Sequence, residues 1–234
     1  MIRLAEDLAA LSHLCADSPF GCQILSAANA YGLHRPFAQF WTDETAAYSK
    51  LDGVMRICGT ITDSEEAAAF LRAVGAESVV CTPENAAALG LTILAQGVVL
   101  VKDLPPATEA GHTEVPLRQV YDVLKSCDMV GDFEPFYLDL SHRVRHGTAA
   151  CRCEHPQGQA AAVSIAVYGE ACSLITAVAV RPEFQRQGLG TKVLRALENR
   201  LSGRVYLLRA EDKNERFYAS MGYKPCGAWC AARI

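Results

Sequence analysis

Residues 171–180 are apolar or small at almost every position, with Leu174, Ile175, Val178 and Val180 among them, and Arg181-Pro182 closes the run. Such a segment describes a strand buried on both faces, and the proline stops it because its ring removes a ladder donor. Beyond it, Leu189, Val193, Leu194, Leu197 and Leu201 fall on one stripe of a helix that begins near Gly188 and that Ser202-Gly203 ends. Between strand and helix lies Gln185-Arg186-Gln187-Gly188-Leu189-Gly190-Thr191. Glycines at this turn let the backbone approach a ligand. The unpaired N–H groups of the first helical turn, with the helix dipole behind them, favour an anion such as pyrophosphate.

Two nucleotide-binding loops share this placement and fail on their residues. A P-loop needs a Lys directly after its second Gly, and Thr191 follows Gly190 here. A dinucleotide fold needs a third Gly where this chain has Val193. An isolated Gly-x-Gly more often makes only a tight turn.

Downstream, residues 204–210 read as a strand, and Asp212 with Glu215 resembles a capping box opening a short helix through Phe217 and Tyr218. Gly222 and Pro225 close that helix, and residues 229–234 read as a last strand. Upstream, residues 148–153 and 160–168 form a predicted hairpin around His155-Pro156-Gln157-Gly158, preceded by an amphipathic helix over 134–145. The first half repeats the order faintly: strand 53–61, helix 64–74, strand 77–81, short helix 83–89, then strand or hairpin 91–101. Two related tandem modules would explain the echo, and so would the ordinary alternation of α/β chains. Residues 102–111 have linker composition, which puts the boundary there and gives modules 1–105 and 112–234.

Composition excludes several classes. Half of the 234 residues are hydrophobic, enough for a sizeable core, and net charge is -4 with Lys and Arg scattered, so nucleic acid is not an expected partner. No uncharged apolar stretch is long enough to span a bilayer, and acidic residues follow Met1 within a few positions. Neither a membrane partner nor a leader is expected, and the chain reads as cytoplasmic. Ten Cys in a chain of this length, irregularly placed, read as reduced and mostly buried thiols. Cys151 and Cys153 share a strand face, a spacing unlike the two to four residues typical between zinc ligands, so no metal is expected even with His155, Cys226 and Cys230 in the chain.

Val178-Ala179-Val180-Arg181-Pro182, then Gln185-x-x-Gly188-x-Gly190, then Asn214-x-x-Phe217-Tyr218-x-x-x-Gly222-Tyr223 together resemble the GNAT family of acetyltransferases. Both blocks stand in order at suitable separation, and the resemblance covers about residues 133–234; for the first hundred residues it is one of topology. It implies an α/β fold with a mixed, mostly antiparallel central sheet flanked by helices. It implies acetyl-CoA as co-substrate, a primary-amine acceptor that is a small molecule or a peptide, and direct attack of that amine on the thioester. A homodimer stays open.

Under the same resemblance the pantetheine arm pairs with the backbone around Val178, Ala179 and Val180. Arg186, Gln187, Gly188, Leu189, Gly190 and Thr191 surround the pyrophosphate, and Asn214 either touches the coenzyme or caps its own helix. Tyr218 is the expected catalytic residue, with a hydroxyl that protonates the departing thiolate; as an alternative, Phe217 and Tyr218 are packing aromatics. Thr176 stands where some relatives carry a carboxylate, so the base is open among Glu134, Asp139, His142, His146 and Glu170. The position matching the phosphate loop in the first module has no glycine pair and carries Asp63, Glu65 and Glu66, which repel a diphosphate. That module is therefore expected to be degenerate. A non-catalytic acyl-CoA sensor and an interaction module on the same scaffold are the competing functions.

Overall fold

The computed structural model describes residues 1–109 and 115–234. The first half contains β1 (Arg3–Leu4), α1 (Leu8–Cys15), α2 (Pro19–Tyr31), β2 (Ala38–Thr42), β3 (Ala46–Leu51), β4 (Val54–Gly59), α3 (Ser64–Ala73), β5 (Ser78–Cys81), α4 (Pro83–Ala88) and β6 (Thr92–Leu104). The second contains α5 (Leu117–Lys125), α6 (Phe133–Arg145), β7 (Ala149–Glu154), β8 (Ala162–Tyr168), β9 (Cys172–Val180), α7 (Leu189–Glu198), β10 (Gly203–Ala210), α8 (Glu215–Ser220) and β11 (Lys224–Arg233).

All the strands join one eleven-stranded sheet in the order β1-β2-β3-β4-β5-β11-β6-β10-β9-β8-β7. Among the described residues only β4–β5 and β9–β10 pair in parallel. The order has an internal symmetry: β2 to β5 on one side correspond to β7 to β10 on the other. At the centre the last strand of each half is exchanged. β6 pairs with β10 from Gly203↔Leu104 to Ala210↔Gly97, while β11 pairs with β5 and runs antiparallel to β6. Residues 102–104, which have linker composition, are thus the end of a paired strand. Residues 110 and 111 of that segment, and the expected start of the second module at 112, lie outside the described residues.

Helices cover both faces. Helices α1, α2, α5 and α6 pack on one, and Trp229 of β11 touches the cores of both halves there. On the other face α3 and α4 cover the first half, and α7 and α8 the second. Helix α7 closes at Glu198 rather than at 202, yet Val193, Leu194, Leu197 and Leu201 are all buried, each burial contributing about 1.5–3 kcal/mol.

The centre is tight enough to demand a glycine. A Cβ on Gly97 would stand 1.9 Å from the Arg209 carbonyl oxygen and 2.7 Å from the Trp229 indole nitrogen, which reaches across β6 to donate to that same oxygen at 3.0 Å. Gly97→Ala is expected to destabilise the fold by about 1–3 kcal/mol, read as a lower denaturant midpoint with unchanged slope. An unchanged midpoint would mean that the indole is not held there.

Candidate active site

The parallel pair β9–β10 holds only from Arg204↔Cys172 to Leu207↔Ile175. Beyond that point residues 208–210 stay with β6 and residues 177–180 stay with β8, so a gap opens between the two strands. A bulge at Thr176 starts it, where the β8 register shifts between Ile165 and Ala166. The Arg181 N–H donates to the Ala161 carbonyl at 2.8 Å, and antiparallel alternation then turns Ala177 and Ala179 toward β8. The main-chain groups of Val178 and Val180 therefore face the gap. The run expected to be buried on both faces is continuously buried only through Ile175: Thr176 is exposed, Ala177, Val178 and Val180 are half-buried, and Ala179 alone is buried again.

After β9, one turn of 3₁₀ helix over Pro182–Phe184 leads to Arg186 at φ 62° and Gly188 at φ 76°. The left-handed Gly188 is the N-cap of α7, where a side chain would be strained. The first backbone bond back into the helix is Lys192 N–H to Gly188 carbonyl, and no protein acceptor is found for the N–H groups of residues 186–191 among the described residues. In helices α1 to α4 one such N–H is taken by Asp7, Ser18, Asp63 or Thr82, whereas α5, α6 and α8, like α7, have no side-chain cap bond. At α7 the donors stay free beside the gap, a ready anion site. A Cβ on Gly190 would lie 3.5 Å from Val180 Cγ2 and 3.6 Å from the Phe217 ring, so α7, β9 and α8 converge at that point.

Tyr218 lies on α8 and is buried with Leu100, Ile175, Leu194 and Leu207. Its ring meets Phe217 edge-on at 5.0 Å and Tyr223 at 6.0 Å. No hydrogen-bond partner is found for its hydroxyl among the described residues, and burial pushes the group up to about 12, opposed by the charge of Arg209. The phenol is protonated at neutral pH, as a proton donor must be. The expected capping box does not form: Asn214, at φ 59°, holds the N-cap position without a side-chain cap bond, so Asp212 does not open the helix and Asn214 does not cap it.

Of the five base candidates, four are placed away from the gap or are occupied. Glu170 precedes β9 at the opposite end of that strand, roughly 25–30 Å along it from Val178 and Val180. Asp139 accepts the Tyr31 hydroxyl at 2.5 Å and the Arg143 Nε at 2.8 Å. His142 stacks on Tyr31 with ring centroids 4.6 Å apart, its Nε2 2.8 Å from the Ala30 carbonyl, and His146 packs on His142 at 4.0 Å. These residues lock the C-terminal end of α6 onto α2, whereas Glu134 is in its first turn. The α5–α6 loop is at the gap, since Cys127 Sγ donates to the Val180 carbonyl at 3.4 Å. Helix α5 was not expected from the sequence, although the apolar spacing of Leu117, Val120, Val123 and Leu124 is a signal that would have found it.

In the first half the corresponding parallel pairing also stops short, and a side chain of the following helix bridges to the end of β4. Pairing of β4 with β5 ends at Arg56↔Val80, and the buried Asn85 of α4 takes the Ile61 N–H at 3.2 Å and gives to the Gly59 carbonyl at 2.9 Å. Asp63 accepts the Glu66 N–H at 2.9 Å, so the mouth of α3 holds its own carboxylate. Among the described residues, no three His, Cys, Asp or Glu side chains gather as a metal site, and no helix is long and apolar enough to cross a membrane.

Residues 146–225 match a family model described as an acetyltransferase (GNAT) domain. A GCN5-related N-acetyltransferase from Kribbella flavida superposes with TM-score 0.61 at 15% identity, over 91% of this chain and 94% of its own. One from Sphaerobacter thermophilus gives 0.58 at 14%, over 100% and 95%. A tandem GNAT protein from the clavulanic acid biosynthesis pathway, solved without AcCoA, gives 0.56 at 13%, over 100% and 98%. At these identities the likeness is one of fold. No curated protein matches the sequence.

Proposed function

We propose, from the match of residues 146–225 to a GNAT acetyltransferase domain model, that the protein moves an acetyl group from acetyl-CoA to a primary amine by direct attack. The observation that carries this reading is the pairing of an open β9–β10 gap with the uncapped mouth of α7. A diphosphate fits the free N–H groups of residues 186–191, with Arg186 close enough in sequence to add a charge-assisted contact. The pantetheine arm then runs along Val178, Ala179 and Val180, and Asn214, freed from capping, faces the coenzyme. The amine attacks the thioester carbonyl carbon, the C–S bond breaks, and the sulfur takes the Tyr218 proton. Glu134 is the remaining carboxylate of the expected set for collecting the amine proton.

The same reading takes residues 1–105 as a degenerate module without coenzyme and 112–234 as the catalytic one. Asn85 and Asp63 support it, since in the first half the one bridges to the end of β4 and the other caps α3. Free thiol released from acetyl-CoA by a panel of amines tests the transfer. Turnover with at least one amine class is expected, and binding without release would leave a sensor.

Coenzyme binding has its own test. Free CoA at about a hundred times its Kd is expected to stabilise the fold by roughly 2.7 kcal/mol, seen as a raised Tm. No rise at saturation would favour an interaction module with a dead site.

A further inference from the structure

Arg209 is the penultimate residue of β10, beside the gap, and is 7% exposed. Its Nη1 shares its two hydrogens among three carbonyls of the turn entering α8: Ala210 at 3.2 Å, Glu211, and Lys213 at 3.2 Å. Its Nε is buried and has no partner, and no carboxylate pairs with it among the described residues. Alternation along β10 puts its side chain on the face of Val205 and Leu207, the face that Tyr218 covers. Its own carbonyl is fixed by Trp229.

A cation buried without a carboxylate is costly, and a clamp for three carbonyls alone needs no full charge. A second demand on the charge comes from Tyr218, whose hydroxyl is also unpartnered and whose proton Arg209 loosens against the effect of burial. The other ionisable groups near that ring are already paired: Tyr223 gives its hydroxyl to Glu198 of α7 at 2.9 Å, and Glu198 holds Lys102 of β6 at 2.8 Å.

We propose that Arg209 is a positioning residue for acyl transfer, gripping the loop before α8 and holding its charge toward the Tyr218 hydroxyl. This rests on Tyr218 being the proton donor to the leaving sulfur. When the C–S bond breaks, the phenol O–H proton passes to sulfur, and the guanidinium steadies the phenolate until solvent or the amine proton restores it. The sequence hides this role, because an Arg at a strand end reads as a solvated charge.

The test is a double-mutant cycle. Arg209→Gln is expected to lower kcat about tenfold or more with the acetyl-CoA KM within about threefold, while adding less than about threefold to the loss already caused by Tyr218→Phe. Arg209→Lys, which keeps the charge, should recover part of the rate. Equal losses in both backgrounds, or a loss confined to KM, would overturn the proposal. A second arm needs no turnover: in protein carrying ¹³Cζ-tyrosine, the Tyr218 signal should titrate at higher pH in Arg209→Gln than in the parent. If that variant does not fold, Arg209→Lys serves, and its Tyr218 signal should titrate close to the parent's. An unchanged titration in Arg209→Gln, or a large displacement in Arg209→Lys, contradicts the proposal. Because this arm reads the ring directly, it separates failure of the Arg209 role from absence of transferase activity.

Discussion

Tyr218→Phe is expected to lower kcat by about 10²–10³ while acetyl-CoA affinity changes by less than about threefold. The ring is packed among Leu100, Ile175, Leu194 and Leu207, and phenylalanine keeps that packing. Its hydroxyl gives up no protein hydrogen bond on removal, so stability should stay within about 0.5 kcal/mol. What disappears is a protonated donor at the point where α8, α7 and β9 meet, so the loss should fall on the step in which sulfur leaves. Steady-state kinetics with calorimetry of CoA binding separates the outcomes. A parallel fall in turnover and affinity would assign Tyr218 to packing, and no fall in either would remove it from the site.

Deleting residues 1–111 should abolish soluble, folded protein altogether. The deletion takes β6 out of the sheet, and β6 is the partner of β10 along its whole length and of β11 along most of its own. It also removes β5, so β11 loses both neighbours, and it takes away Val99 and Leu100, members of two cores, along with the first-half contacts of Trp229. The bared edge of β10 and both edges of β11 then invite aggregation. A fragment beginning at residue 91, which retains β6, should be recovered in larger soluble yield than one beginning at 112. A fragment 112–234 that is monomeric, cooperative in unfolding and fully active would show that the halves fold independently.

The site was legible where local chemistry writes it. The run through Leu174 and Ile175, the stop at Arg181-Pro182 and the Gly188–Gly190 pair mark strand, turn and helix by patterns a few residues long, and β9 and the start of α7 are found within a residue of expectation; α7 ends earlier than expected, and β11 begins at Lys224 and includes Pro225, where the last strand was expected only from 229. The strand exchange was not legible, because nothing in the residues of β6 or β11 states which of two parallel pairs it lies beside. Helix α2 was missed for a different reason. It is buried on nearly every side, and its large apolar residues Phe20, Ile24 and Leu25 are interspersed with small ones such as Gly21, Cys22, Ser26, Ala27, Ala28 and Ala30, so it shows no single apolar stripe. His142 and His146 do share a helix face, as their spacing predicts. The partner of that face, Tyr31 of α2, comes from more than a hundred residues away and could not be read from spacing.

A crystal structure with acetyl-CoA bound reaches the centre of this account most directly. It should show the diphosphate oxygens within hydrogen-bond distance of main-chain N–H groups between Gln187 and Thr191, with the arm lying in the gap between β9 and β10. An electron density map with the ligand ordered elsewhere, and the mouth of α7 closed by protein, would contradict it.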